Sequence, residues 1–277
     1  MSTSVCRLAG GKRGVELLGH CMEIIDTYPI PGFREPVSCF THLLAVPVFA
    51  TLGYYLVRKG RGNWCRSISL AIMALCSVFL LSMSAVYHLL GPGAARNVML
   101  QLDVAGVFAL IAGTVTPVHA ILFRGFNRWA PLLLVWSAAA TGITLRSIFS
   151  KSLAPGVGTA IFLLLGWGGL VSCVLLWRRF GFRFVKALLW GGLAYTLGAI
   201  ILGLNWPTLI PGVVSAHELW HVAVLVGLGL HWKFVFQFAD GLPHAKAACV
   251  TPDWDCGHPN INPAEASLKV QQTPNDE

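Results

Sequence analysis

The amino-acid sequence predicts an all-α membrane protein, a seven-transmembrane helix bundle. Of its 277 residues 55% are hydrophobic and only 12% are charged, and the mean hydropathy is +0.67. Apolar stretches of about 20 residues recur along the chain, the length a helix needs to cross a hydrocarbon core of about 30 Å. Basic residues, Gly and Pro punctuate the ends of these stretches.

The first expected span, residues 37–57, contains no acid, Lys or Arg and stops at Arg58-Lys59-Gly60-Arg61-Gly62. The second, 68–90, carries His88 near its end and stops at Gly91-Pro92-Gly93. The third, 98–123, contains one acid, Asp103, and stops at Arg124-Gly125. The fourth, 130–149, is followed by Pro155-Gly156, and the fifth, 157–177, by Arg178-Arg179. The sixth, 187–205, gives way to Asn205-Trp206-Pro207. The seventh, 213–238, holds His217, Glu218 and His221 in its first turns. The pairs Gly168-Gly169 and Gly191-Gly192 read as places of close helix packing.

The spans define a transmembrane domain over 37–238, flanked by two polar segments. Residues 1–36 lack the continuous apolar core and small-residue cleavage pattern of a secretory signal. Residues 239–277 are polar and Pro-containing and cannot bury enough apolar area to fold alone, so a disordered tail is expected. Cys249 and Cys256 lie near His244 and His258 in that tail, where a solvated role is simpler than a metal site. Cys39, Cys76 and Cys173 fall inside spans and act as small apolar residues.

The net charge of +8 does not point to nucleic acid, because the basic residues cluster at span ends. Of the 20 Lys and Arg, 13 lie on the side of loops 1, 3 and 5 and the C-terminus. The positive-inside rule places that side in the cytoplasm and the N-terminus outside.

Ionisable side chains inside a bilayer are costly and mark function or a partner. By alternation of the spans, His88, Asp103, His217 and His221 fall in one leaflet. His217 and His221 are four residues apart, about 6 Å along one helix face, a spacing that suits two imidazoles on one metal. Ser84 and His88 share that spacing on the second span. Three histidines with an open fourth position is the arrangement of a catalytic zinc, and Asp103 is placed to hydrogen-bond a water there. The bland alternative is that the histidines simply bridge helices. His42 starts in the same leaflet, seven residues after Glu35 on one face, with a substrate-facing role and a packing role both open. His119 and His231 lie toward the opposite face and read as interfacial. The string His217-Glu218-Leu219-Trp220-His221 also matches the HExxH pattern of soluble zinc proteases. Those enzymes work on a water-exposed helix with a third ligand downstream, and His231 is too far along the axis, so the protease reading is set aside. Glu218 remains an alternative proton acceptor, but it sits about 100° round the helix from His217, so Asp103 is preferred for proton work.

Ser84-Ala85-Val86-Tyr87-His88, Leu102-Asp103 leading to Leu110-Ile111-Ala112-Gly113-Thr114-Val115-Thr116-Pro117, and His217-Glu218-Leu219-Trp220-His221 occur in this order on the second, third and seventh spans. In these motifs the chain resembles the hemolysin III branch of the progestin and adipoQ receptor family, over roughly residues 35–238. The resemblance implies a seven-helix bundle with Zn2+ held by His88, His217 and His221, and it carries the motif aspartate and serine onto Asp103 and Ser84. It relates the chain to the superfamily containing alkaline ceramidases. It therefore implies hydrolysis of a lipid amide or ester, with Asp103 handling a proton and Ser84 donating to the developing oxyanion. A membrane receptor in which zinc only holds helices together is the alternative, and the family name suggests pore formation. Membrane lipid is then the expected substrate or ligand, and the sequence specifies no oligomeric state. The chain departs from the family in two respects. Val104 stands where the hemolysin III pattern usually has His, and the receptors are described with a cytoplasmic N-terminus, opposite to the charge count.

Overall fold

The computed structural model describes residues 34–149 and 157–242. These form helices α1 (Pro36–Lys59), α2 (Trp64–Leu89), α3 (Ala94–Leu122), α4 (Phe126–Ile148), α5 (Val157–Trp167), α6 (Leu170–Phe180), α7 (Phe182–Leu204) and α8 (Ala216–Phe236). Seven stretches among the described residues are long and apolar enough to span a membrane, and α5 with α6 makes up the fifth. The chain is an integral multi-pass membrane protein. Most of the 1–36 and 239–277 segments, including His244, Cys249, Cys256 and His258, lies outside the described residues.

The break in the fifth span corrects the reading of Gly168-Gly169 as a helix-packing pair. A Cβ at Gly168 would meet only the carbonyls of Leu164 and Leu165 in its own chain, and one at Gly169 only that of Gly166. Adjacent glycines weaken a helix by about 1 kcal/mol each relative to Ala, and here they form the turn between α5 and α6. Gly191 does behave as expected: a Cβ there would come within 2.4 Å of the His231 ring on α8. Gly192 faces open space.

α2 packs between α1 and α3, α7 packs along α8, and α8 returns to touch α1 and α3. Without a hydrophobic drive between helices in lipid, small residues set how close backbones come. Gly106 and Gly113, two turns apart on α3, do this against α2. Added Cβ atoms would stand 2.9 Å from Leu80 Cα and 2.7 Å from Cys76 Cβ. The buried core includes Leu70, Met73, Leu81, Leu228 and Trp232. The Trp232 indole N–H donates to Ser77 Oγ at 3.1 Å, so its one polar atom is satisfied. Large apolar side chains such as Leu44, Leu134 and Leu164 point outward, as a lipid-facing surface requires.

Candidate metal centre

The last turns of α2, the first third of α3 and the first turns of α8 meet at one end of the bundle. The close α2–α3 approach brings Ser84 and His88 to the level of Asp103. On α8 the pair His217 and His221 is fixed by a capping box. Ser215 Oγ accepts from the His217 N–H at 3.2 Å, while Glu218 Oε2 accepts from the Ser215 N–H at 2.8 Å.

His88, His217 and His221 each offer a nitrogen, and these atoms lie within 4.8 Å of one another. His88 Nε2 and His217 Nε2 are 3.3 Å apart. A tetrahedral ion with metal–nitrogen bonds of about 2.0–2.1 Å separates its ligands by about 3.3–3.4 Å, so this donor pair fits such an ion without rearrangement. The three-histidine group could hold a metal ion. Asp103 lies outside that 4.8 Å set but close enough to interact with His88, with the Ser84 hydroxyl against its carboxylate.

The start of α1 orients the group. Glu35, at the N-cap of α1, accepts a hydrogen bond from His88 Nδ1 through one carboxylate oxygen. Its other oxygen accepts from Arg96 at 2.7 Å. This fixes the His88 tautomer, leaving Nε2 as a lone pair toward the centre, the arrangement in which a carboxylate supports a metal-binding histidine. Partial burial pushes the Glu35 carboxyl up, but His88 and Arg96 outweigh it and hold it at about 2. Arg96 also donates to the carbonyls of Tyr87 and Leu90 and covers the Tyr87 ring at 4.2 Å, locking the end of α2. One turn into α1, Ser38 Oγ donates to Glu218 Oε1 at 2.7 Å. Thr41 Oγ1 lies 3.4 Å from His221 Nδ1, which turns the other ring nitrogen to the centre. His42 stacks on His221 with ring centroids 4.0 Å apart and planes 12° from parallel.

Sequence reasoning gave no role to Ser38 or Thr41 and noted Glu35 only as the residue seven before His42 on one face. Their spacing of three and six residues from Glu35 puts them on one face of α1 with His42, a pattern visible in the sequence but meaningful only once α1 is known to pack against α2 and α8. Glu218 is explained differently from the HExxH reading: both its oxygens are occupied by Ser38 and Ser215, so it braces helices and is not a free base.

A cavity of 220 Å³ runs into the bundle from this end. His42, Ser84, Asp103, His217 and His221 line its polar end. Val107, Leu110 and Phe162 line its apolar middle, and Tyr195 and His231 lie at the far end. His221 and His231 are ten residues apart on α8, roughly 15 Å, so the cavity is elongated along the membrane normal. His119 and His231, expected at an interface, instead lie within the bundle and line this cavity. His119 bridges the Asn127 carbonyl at 2.8 Å and Ser172 Oγ at 3.0 Å.

The profile of the Haemolysin-III related family matches residues 32–232. Among individual proteins, the chain is similar to Hemolysin-3 of Bacillus cereus, 25% identical over 77% of this chain and 94% of that protein. It is likewise similar to the Hemolysin-3 homolog of Bacillus subtilis, 25% identical over 70% of this chain and 89% of that one. The heptahelical transmembrane protein ADIPOR2 of Oryza sativa is 29% identical over 69% of this chain and 88% of its own length.

Proposed function

This chain belongs to the haemolysin-III related family, and on that premise we propose that it is a zinc-dependent membrane hydrolase of a lipid amide or ester bond. The observation that carries this reading is the junction of two features. A three-histidine group that could hold a metal ion, one of its donor pairs already at the spacing of a tetrahedral ion, opens onto a largely apolar cavity that also receives Asp103 and Ser84.

Zinc bound there supplies Lewis-acid activation of water and of a carbonyl oxygen. The chain's own residues supply the rest. Asp103 takes the proton from the attacking water and returns it to the departing amine or alcohol. As Asp103 takes up that proton it releases the Ser84 hydroxyl, whose single O–H then donates to the carbonyl oxygen as negative charge develops on it. The apolar walls hold the acyl chain and exclude bulk water, which strengthens both polar contacts.

A zinc-stabilised receptor without catalysis is the second reading. It is favoured by the way the histidines tie α2 to α8, since an ion shared by two helices also acts as a cross-link. Purified protein, loaded with zinc and given a mixture of neutral lipid amides and esters, separates the two. The hydrolase reading expects fatty acid release that Asp103→Asn abolishes while bound metal stays stoichiometric, and that His217→Ala abolishes together with the metal. Zinc-loaded wild type that releases no fatty acid sinks the hydrolase.

A further inference from the structure

His42 stands apart from its neighbours at the polar end of the cavity. Its side chain is only 3% exposed, it lines the cavity beside Ser84 and Asp103, and its flat face rests on His221. Yet neither Nδ1 nor Nε2 has a hydrogen-bond partner. Nearby polar groups are paired: His88 with Glu35, Ser38 with Glu218, Ser84 with Asp103. Stacking on His221 requires only a flat ring, and two bare nitrogens in a buried place are costly and rare in folded proteins. Nor is His42 one of the three donors gathered within 4.8 Å, so coordination does not account for it.

We propose that His42 is a ligand-recognition residue, whose ring nitrogens hydrogen-bond the polar head of a neutral amphiphile with its chain lying along the cavity toward His231. This rests on the reading of the cavity as a lipid site. A neutral imidazole presents one N–H and one lone pair. A hydroxyl or secondary amide can answer either nitrogen, because each of these groups both donates and accepts. An ether or ester oxygen answers only the N–H. His42 therefore selects for heads that carry a hydrogen-bond donor, and it is distinct in role from Asp103 and Ser84.

The test uses two matched, non-hydrolysable probes, 1-dodecanol and dodecyl methyl ether, titrated into the full zinc-loaded chain in nanodiscs by calorimetry. Protein-free discs correct for partitioning. The alcohol is expected to bind wild type about tenfold more tightly than the ether. In His42→Phe, which keeps the flat stacking face, the preference falls to within about twofold while metal content and thermal midpoint are unchanged. His42→Gln, which restores a donor and an acceptor, regains the preference. A preference that survives His42→Phe, or equal binding of both probes by wild type, overturns the role of His42 and leaves the lipid site standing. Loss of metal or early unfolding in His42→Phe also overturns it, since the nitrogens then serve the fold. If neither probe binds wild type, the lipid reading of the cavity fails first and the proposal falls with it.

Discussion

Replacing Glu35 tests whether α1 tunes the metal group rather than merely packing beside it. The carboxylate joins His88 Nδ1 to Arg96, and its side chain is 24% exposed. Glu35→Ala removes the acceptor that fixes the His88 tautomer and leaves the Arg96 guanidinium facing His88 without the intervening negative charge. Loss of such a supporting carboxylate lowers metal affinity by about 10- to 100-fold, equivalent to about 1.4–2.7 kcal/mol. Glu35→Gln retains one acceptor for His88 or for Arg96 but no charge, so its loss falls toward the lower end of that range. The assay is competition for zinc between the detergent-purified protein and a chromophoric chelator, with metal content measured independently. Arg96→Gln gives the internal check: it also loosens the end of α2 by losing the Tyr87 and Leu90 carbonyl contacts and so lowers the thermal midpoint, but Glu35 still accepts from His88, and affinity stays within a fewfold of wild type. If Glu35→Ala holds zinc within twofold of wild type, the orienting role is refuted and the Glu35–His88 contact is only a helix tether.

Other changes read the remaining parts of the arrangement. Gly113→Val forces branched carbons into a site where even a Cβ meets Cys76 at 2.7 Å. It should cost about 1–3 kcal/mol, lower the thermal midpoint in detergent and weaken metal binding, because α2 carries His88. Glu218→Gln should lower the thermal midpoint through loss of the charged cap and the Ser38 link, with metal stoichiometry retained. Acidification should strip the metal as the imidazoles take up protons. Glu35, held at about 2, remains ionised throughout that release. A carboxyl with a depressed folded value stabilises the fold fully above its ordinary value of 4.5, and that contribution is lost only as pH falls toward 2. Metal content and thermal midpoint followed together from pH 8 to pH 4 should therefore show release before any loss of the Glu35 contribution.

The seven spans were legible because apolar length and end punctuation are local properties, readable without knowing what packs on what. The His217–His221 pair was legible for the same reason, as an i, i+4 spacing, and topology alone brought His88 to its leaflet. What the sequence concealed were contacts made across long separations. Glu35 meets His88 53 residues away, and Ser38 meets Glu218 180 residues away. No periodicity announces such pairs. The broken fifth span was concealed differently, because hydropathy is insensitive to Gly168-Gly169 as long as its neighbours are apolar.

Glu218 shows how context decides between two valid local patterns. Ser215-Ala216-His217-Glu218 is a capping box, and His217-Glu218-Leu219-Trp220-His221 is a metalloprotease-like string, so one glutamate belongs to both. In a water-exposed helix its carboxylate would be free to activate water. At the start of α8 the first N–H groups have no intrahelical partner and little water to turn to, so the carboxylate is drawn to Ser215, and the packing of α1 adds Ser38. That commitment fixes His217 and His221 on one face and turns the task of moving protons over to a side chain on another helix. Asp103, on α3, lines the cavity with the Ser84 hydroxyl against it and His88 nearby. The helix that supplies two of the three histidines has thus spent its own acid on holding them still, so any proton acceptor for chemistry in this cavity must come from across the bundle.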